Sequence, residues 1–274
     1  QQQQFVVEDS EPFVSTHLDR YIVQDEMVKL SLSTNSGEVD RDNLLLAYEL
    51  SGKYPDTPTS RDSLKEWQQQ AEEFALHLKT DFSDLQQLSV ETIDISLDGV
   101  NLQADLPWLE EQLFFWRLAN AKGKDDMRMW IHHLIAQVYL EKNNMERENN
   151  SLITQGVFRG EKQQPVQVVK IQAVDNAEKL LSQLIQYYKK GMLEPLLLHS
   201  SLGKKHCANA KKPLDNKAFY ALWLDDFQTQ GLGSEPYVKW FWSDNEQQVP
   251  QWQGLWKERI EDIYLSLYQH YQIV

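Results

Sequence analysis

The stretch from Val90 to Leu118 restricts the fold more than any other part of the chain. Ile93, Ile95 and Leu97 alternate with Thr92, Asp94 and Ser96, the period of a strand with one face buried. Asp98-Gly99 follows, a pair that readily supplies the positive φ angles of a tight hairpin turn. Leu102, Ala104 and Leu106 then alternate with Asn101, Gln103 and Asp105. A third run, Leu113 to Leu118, is apolar on both faces except at Arg117, as a central strand covered on both sides would be. Gly123-Lys124-Asp125 closes the strands and opens a helix with the stripe Met127, Trp130, Ile131, Leu134, Ile135, Val138 and Tyr139. Three strands and a covering helix predict an α+β protein.

The rest of the chain fits around this core. Residues 1–16 read as an arm. Helices are predicted over Leu18–Leu30 and Leu44–Leu50, and a long amphipathic one over Ser60–Lys79. In the last, Ser63 and Glu66 have the spacing of a capping box, and Trp67, Phe74 and Leu78 are the heavy apolar groups. Two further strands are expected at Leu152–Phe158 and Val166–Ile171, joined by residues 159–165. A helix follows, capped by Asp175 with Glu178 three residues on, and stopped by Gly191. Pro195–Leu198 reads as a short buried strand or docking segment. His199–Lys217, with Gly203 and Pro213, reads as a basic loop, and Phe219–Phe227 as a helix with an aromatic face. Tyr237–Trp242 reads as an aromatic strand or turn, and Gln251–His270 as the last helix. The expected divisions are a helical lead-in over 1–89, a sheet core over 90–200 and a helical, aromatic cap over 201–274.

The 274 residues suffice to bury a substantial core. No apolar run approaches the ~20 residues of a membrane span. A single cysteine, Cys207, excludes an internal disulfide framework and suits a reducing cytoplasm. The net charge of -14 opposes a surface coated for duplex DNA. The basic residues Lys204, Lys205, Lys211, Lys212 and Lys217 still form one strip that could meet phosphates. Tyr237, Trp240 and Trp242 could stack on unpaired bases, but an aromatic run more often forms core or a partner interface, and they are expected to bind a partner.

Chemical motifs are sparse. Helix, three-stranded meander, helix and strand together resemble the core of the PD-(D/E)xK nuclease fold. That fold holds magnesium on an Asp of its second strand and an acid-x-Lys pair of its third, because magnesium needs hard oxygen ligands. Asp105 could fill the first role, but Leu113–Leu118 carries no carboxylate. The expectation is a nuclease-like scaffold without catalytic residues, metal or cofactor. Asp215-Asn216-Lys217 sits at a helix start, where Asp215 serves as a cap. His132 and His133 point about 100° apart on a helix and cannot share a metal as an i, i+4 pair does; one belongs to the core and one to the surface. His206-Cys207 lacks the placed third group that an activated thiol needs. No nucleotide-binding glycine loop occurs.

The packing motifs resemble a known family. Glu11-Pro12-Phe13 through Leu18-Asp19-Arg20-Tyr21, the hairpin Ile95–Pro107, Phe115-Trp116-Arg117 and Leu255-Trp256-Lys257 are similar to the C-terminal region of the RecC family, the gamma subunits of exodeoxyribonuclease V (RecBCD). The most specific stretch is Ala177 to Leu197, AEKLLSQLIQYYKKGMLEPLL. The matching stretches are collinear over nearly the whole chain. The resemblance implies a nuclease-like domain without catalytic residues, in a heterotrimer that unwinds and degrades DNA from double-strand ends. Its implied partners are RecB-like and RecD-like subunits and the DNA strands in their channels, and its implied location is the cytoplasm. Two other readings stand beside it: an active metal-dependent nuclease in which Asp94, Asp105 and Glu110 or Glu111 converge, and a protein-interaction module without DNA contact.

Overall fold

A computed structural model of the chain describes residues 15–33, 46–48, 50, 51, 55, 57–82, 85–143, 152–160, 164–194, 196, 198–209, 213–225, 230–242 and 253–274. The chain divides into two compact units. One comprises Gln1–Leu88, Trp116–Asn120 and Val157–Gln167; the other comprises Ser89–Phe115, Ala121–Gly156 and Val168–Val274. No helix among the described residues is long and apolar enough to cross a membrane.

The first unit is built on two helices, α1 (His17–Ser33) and α2 (Pro58–Asp81), packed against each other. Leu64, Trp67, Ala71, Phe74, Ala75 and Leu78 make the buried stripe of α2 at helical spacing. Val23, Met27 and Val28 are the buried apolar residues of α1. Gln24 is buried among them and stays satisfied, its amide donating to Gln70 Oε1 at 2.9 Å. Trp116 adds a tilted ring contact to Phe74, with centroids 6.4 Å apart. The α2 cap differs from the expected Ser63–Glu66 box. Thr57 accepts from the Ser60 amide and Pro58 takes the first turn, where its missing N–H costs nothing. Of the helix expected over 44–50, residues 46–48 and 50 are helical and the rest lie outside the described residues.

A six-stranded mixed sheet runs in chain order: β1 (Ser89–Leu97), β2 (Val100–Leu109), β3 (Gln112–Arg117), β4 (Thr154–Arg159), β5 (Val166–Ile171) and β6 (Tyr271–Ile273). β1 and β2 pair antiparallel from Ser89↔Trp108 to Leu97↔Val100. Asp98 (φ 51°) and Gly99 (φ 74°) form the turn the sequence predicts. The next turn, Glu110-Glu111, carries no glycine; Glu110 takes φ 54° instead. β3 and β4 run parallel, since Leu113 N–H donates to Ile153 O and Arg159 N–H to Ala119 O, so both residue numbers rise together. A parallel neighbour needs a crossover, and α3 (Gly123–Lys142) provides it.

The helices of the second unit are α3, α4 (Ala177–Gly191), α5 (Ser200–Cys207), α6 (Asn216–Trp223), α7 (Pro236–Trp242) and α8 (Gln253–His270). Trp130, Leu134, Ile135 and Val138 are buried as expected, while Met127, Ile131 and Tyr139 are half-buried. Met129, His133 and Ala136 join the buried set. In α8, Trp256, Ile260, Ile263, Tyr264, Leu267 and Tyr268 are buried, and Trp256 stacks on Phe219 of α6 at 4.3 Å. Full burial of each such side chain contributes about 1.5–3 kcal/mol.

Further expectations are corrected. Residues 200–207 form a helix rather than a loop; Gly203 lies inside it because a Cβ there would meet the Tyr264 ring at 2.4 Å. Residues 236–242 form a helix rather than a strand or turn, with Glu235 accepting from the Val238 amide at its start. The α4 cap is Asn176, one residue beyond the expected Asp175, and its side chain makes no capping bond. Of the segment expected as a short strand at 195–198, the described Leu196 and Leu198 are not in a strand. β6 was not anticipated.

Candidate functional site

The expected phosphate-facing lysines split. Lys204 points inward: its Nζ lies 3.0 Å from Asp126 Oδ2, 2.9 Å from Ala121 O and 5.9 Å from the Tyr271 ring centroid. Lys205, one residue on and about 100° around the helix, is exposed. Lys211 and Lys212 lie outside the described residues.

Asp126 is the centre that Lys204 serves. It sits in the first turns of α3, where the helix dipole favours negative charge, and its side chain is fully buried. Tyr268 O–H donates to Oδ2 at 2.9 Å and Tyr271 O–H to Oδ1 at 3.1 Å. Both hydroxyls are held well above the usual tyrosine pKa, first by burial and then by the Asp126 charge. The cluster therefore keeps two neutral donors and one cation around one carboxylate, joining α3, α5, α8 and β6. Such an arrangement orders the fold.

His206 and Cys207, the candidate thiol pair, are also structural. Leu214 N–H donates to His206 Nδ1 at 3.1 Å, so the ring proton sits on Nε2, which donates to Glu261 Oε1 at 2.8 Å. Burial, followed by the Glu261 charge, pushes the Cys207 thiol up to about 12, so the nucleophilic thiolate is scarce. Asp215 caps α6, its Oδ1 accepting from the Ala218 amide at 2.7 Å. His133 is fully buried, with Nδ1 2.9 Å from Thr154 Oγ1, and stacks on Trp130 at 5.9 Å. Burial, then His270, pushes it down to about 4. His132 is half-buried, with Nδ1 2.7 Å from Arg128 O and its ring edge-on to Phe115.

On the sheet, Asp105 is exposed on β2, and its Oδ1 accepts from Thr92 Oγ1 at 2.6 Å across the strand pair. Asp94 is exposed on β1. Among the described residues no three His, Cys, Asp or Glu side chains are grouped to hold a metal. Of the candidate partner residues, Tyr237 and Trp240 stand on α7 one turn apart and are 72% and 76% exposed. Trp242 ends that helix, and its side chain lies outside the described residues. Asp126, Tyr268 and Tyr271 have no sequence signal as a cluster, because Asp125-Asp126 reads as ordinary acid at a helix start.

The described residues form an α+β protein with a mixed six-stranded sheet flanked by helices. The RecC C-terminal domain family matches residues 1–209, and the chain belongs to that family. The RecBCD enzyme subunit RecC of Escherichia coli (strain K12) is 25% identical over 193 residues, which is 70% of this chain and 16% of that protein. The chain thus corresponds to a small part of the curated relative's length. The family match reaches past α5 and ends before α6, so Tyr268 and Tyr271 lie beyond it.

Proposed function

We propose that the chain is a non-catalytic domain of a RecC-type subunit in a RecBCD-type helicase–nuclease of double-strand-break repair and recombination. It docks RecB-like and RecD-like subunits and guides separated DNA strands in the cytoplasm. The observation that carries this reading is the RecC C-terminal domain match over residues 1–209. The sheet is read as a PD-(D/E)xK-like core that keeps the scaffold without the ligand set. Two features favour that: β3 carries no carboxylate, and Asp105 is engaged by Thr92 on an exposed face. Residues 1–89, 90–200 and 201–274 serve as lead-in, core and cap. Lys205, Lys211 and Lys212 face the phosphates, whereas Lys204 is committed to Asp126. Tyr237, Trp240 and Trp242 meet a partner subunit.

Two experiments test the reading. Magnesium and manganese are titrated into the chain by calorimetry while DNA cleavage is followed. Absence of both binding and cleavage is expected; stoichiometric binding and cleavage, both abolished by Asp105→Ala, overturn the non-catalytic reading. Then Lys205, Lys211 and Lys212 are changed to Glu in the full subunit assembled with its partners. Assembly is expected to persist while strand binding weakens and loses salt dependence. Unchanged strand binding would make the segment a protein-interaction module.

A further inference from the structure

β1 is an outermost strand of the sheet. The two-residue turn Asp98-Gly99 makes its flanking pair, Leu97 and Val100, a hydrogen-bonded pair. Hydrogen-bonded and non-hydrogen-bonded pairs alternate along an antiparallel ladder. Ile95, Ile93, Glu91 and Ser89 therefore spend their backbone groups on β2. Ser96, Asp94, Thr92 and Val90 turn their N–H and C=O groups away from β2, toward the open side. Lys142 Nζ reaches Ser96 O at 3.4 Å and closes the turn end. Among the described residues, no backbone group is recorded as a partner to the outward groups of Val90, Thr92 and Asp94. All three side chains are exposed, Val90 at 67%.

Acids dominate the sequence of this edge, while Lys142 and Lys189 reach the Ser96 and Asp98 carbonyls at its turn end. Glu91, Asp94, Asp98, Asp105, Glu110 and Glu111 fall within residues 89–111, and that stretch contains no Lys or Arg. Asp94 and Asp105 share the exposed face with Thr92 between them, while Ile93 and Ile95 are buried on the other face. A strand added beside β1 must alternate in the same way. Its residues on the exposed face lie beside Thr92 and Asp94, with Asp105 one strand further in across Thr92, and those on the other face continue the Ile93–Ile95 row. A second copy of β1 is a poor occupant, because it sets a second Glu91 and Asp94 against the first with no Lys or Arg of its own strand to offset them.

We propose that the β1 edge is a strand-addition site for an extended partner segment that alternates basic and apolar residues. Main-chain bonds to Val90, Thr92 and Asp94 hold the segment, and the acidic face sets its charge. The inference does not depend on the RecBCD-type role.

The test uses a fluorescent eight-residue peptide of alternating Lys and Val, a second version N-methylated at every other residue, and a third with the lysines and valines in two blocks. The alternating peptide is expected to bind at physiological ionic strength and to slow amide exchange at Val90, Thr92 and Asp94. The methylated and blocked peptides are expected to bind at least about tenfold more weakly, and Asp94→Lys to weaken the alternating peptide by about tenfold. Thr92→Pro removes one outward N–H while sparing the ladder to β2, and is expected to abolish the protection. If that variant does not fold, the methylated peptide decides. Equal binding of methylated and unmethylated peptides, protection away from β1, or self-association of the chain through β1 overturns the proposal.

Discussion

Two short helices of the same unit invert the usual rule of inside and outside. α5 is rich in lysine, yet it turns Lys204 inward to Asp126 and buries His206 and Cys207. α7 is rich in aromatics, yet Tyr237 and Trp240 are mostly exposed. The difference lies in what each side chain meets. Lys204 finds a buried carboxylate and a carbonyl, which together offset the loss of hydration. Burial follows partners, and residue type alone does not decide it.

The largest effect that could break this comparison is expected at Asp126. Asp126→Ala leaves the Lys204 ammonium without its counter-charge and two buried hydroxyls without an acceptor. It is expected to cost about 3–5 kcal/mol in urea unfolding. A loss below 1 kcal/mol would mean that Lys204 reaches water as easily as Lys205 does.

Gly203→Ala comes next. The added methyl must displace the Tyr264 ring or push α5 off α8, at about 1–3 kcal/mol. A thermal melt unchanged by this substitution would refute the close seating of α5.

His133 sharpens the comparison through pH. Its folded pKa, about 4, lies below the ordinary 6.5, so the unfolded chain takes up a proton that the folded chain refuses. Stability from this group is complete above pH 6.5, falls as pH drops toward 4, and is flat below. The expected loss between pH 6.5 and 5 is about 2 kcal/mol, read as the difference in urea midpoints between the native chain and His133→Gln. Equal slopes for the two would place the imidazole in contact with solvent.

The smallest effect is expected on α7. Tyr237→Ser and Trp240→Ser should change stability by no more than about 0.5 kcal/mol. On the proposed docking role, the same substitutions in the full subunit should weaken its assembly with partner subunits, measured by sedimentation.

What the sequence reveals follows the range of the interactions. The β1–β2 hairpin is legible in register because alternation and Asp98-Gly99 are local signals. The stripe of α2 is legible for the same reason, although its cap sits at Thr57 and not at Ser63. α5 is hidden because Gly203 reads as a breaker until Tyr264 is known to fill the space beside it. α7 is hidden because Tyr, Val, Trp and Phe favour strands in the absence of packing information. The Asp126 cluster is illegible for a stronger reason: Tyr268 and Tyr271 are 142 and 145 residues away from it.

The same distance governs synthesis. β6 pairs with β5 across about a hundred residues, fixed by Gln172 N–H to His270 O and Val274 N–H to Val168 O. A ribosome making this chain releases β1 to β5 first, and the β5 edge stays open until α8 and Tyr271–Ile273 emerge. Asp126 waits equally long for its two hydroxyls. At about 5–20 residues per second, that interval lasts several seconds. During that time the growing chain carries a bare strand edge and an acid lacking two of its donors.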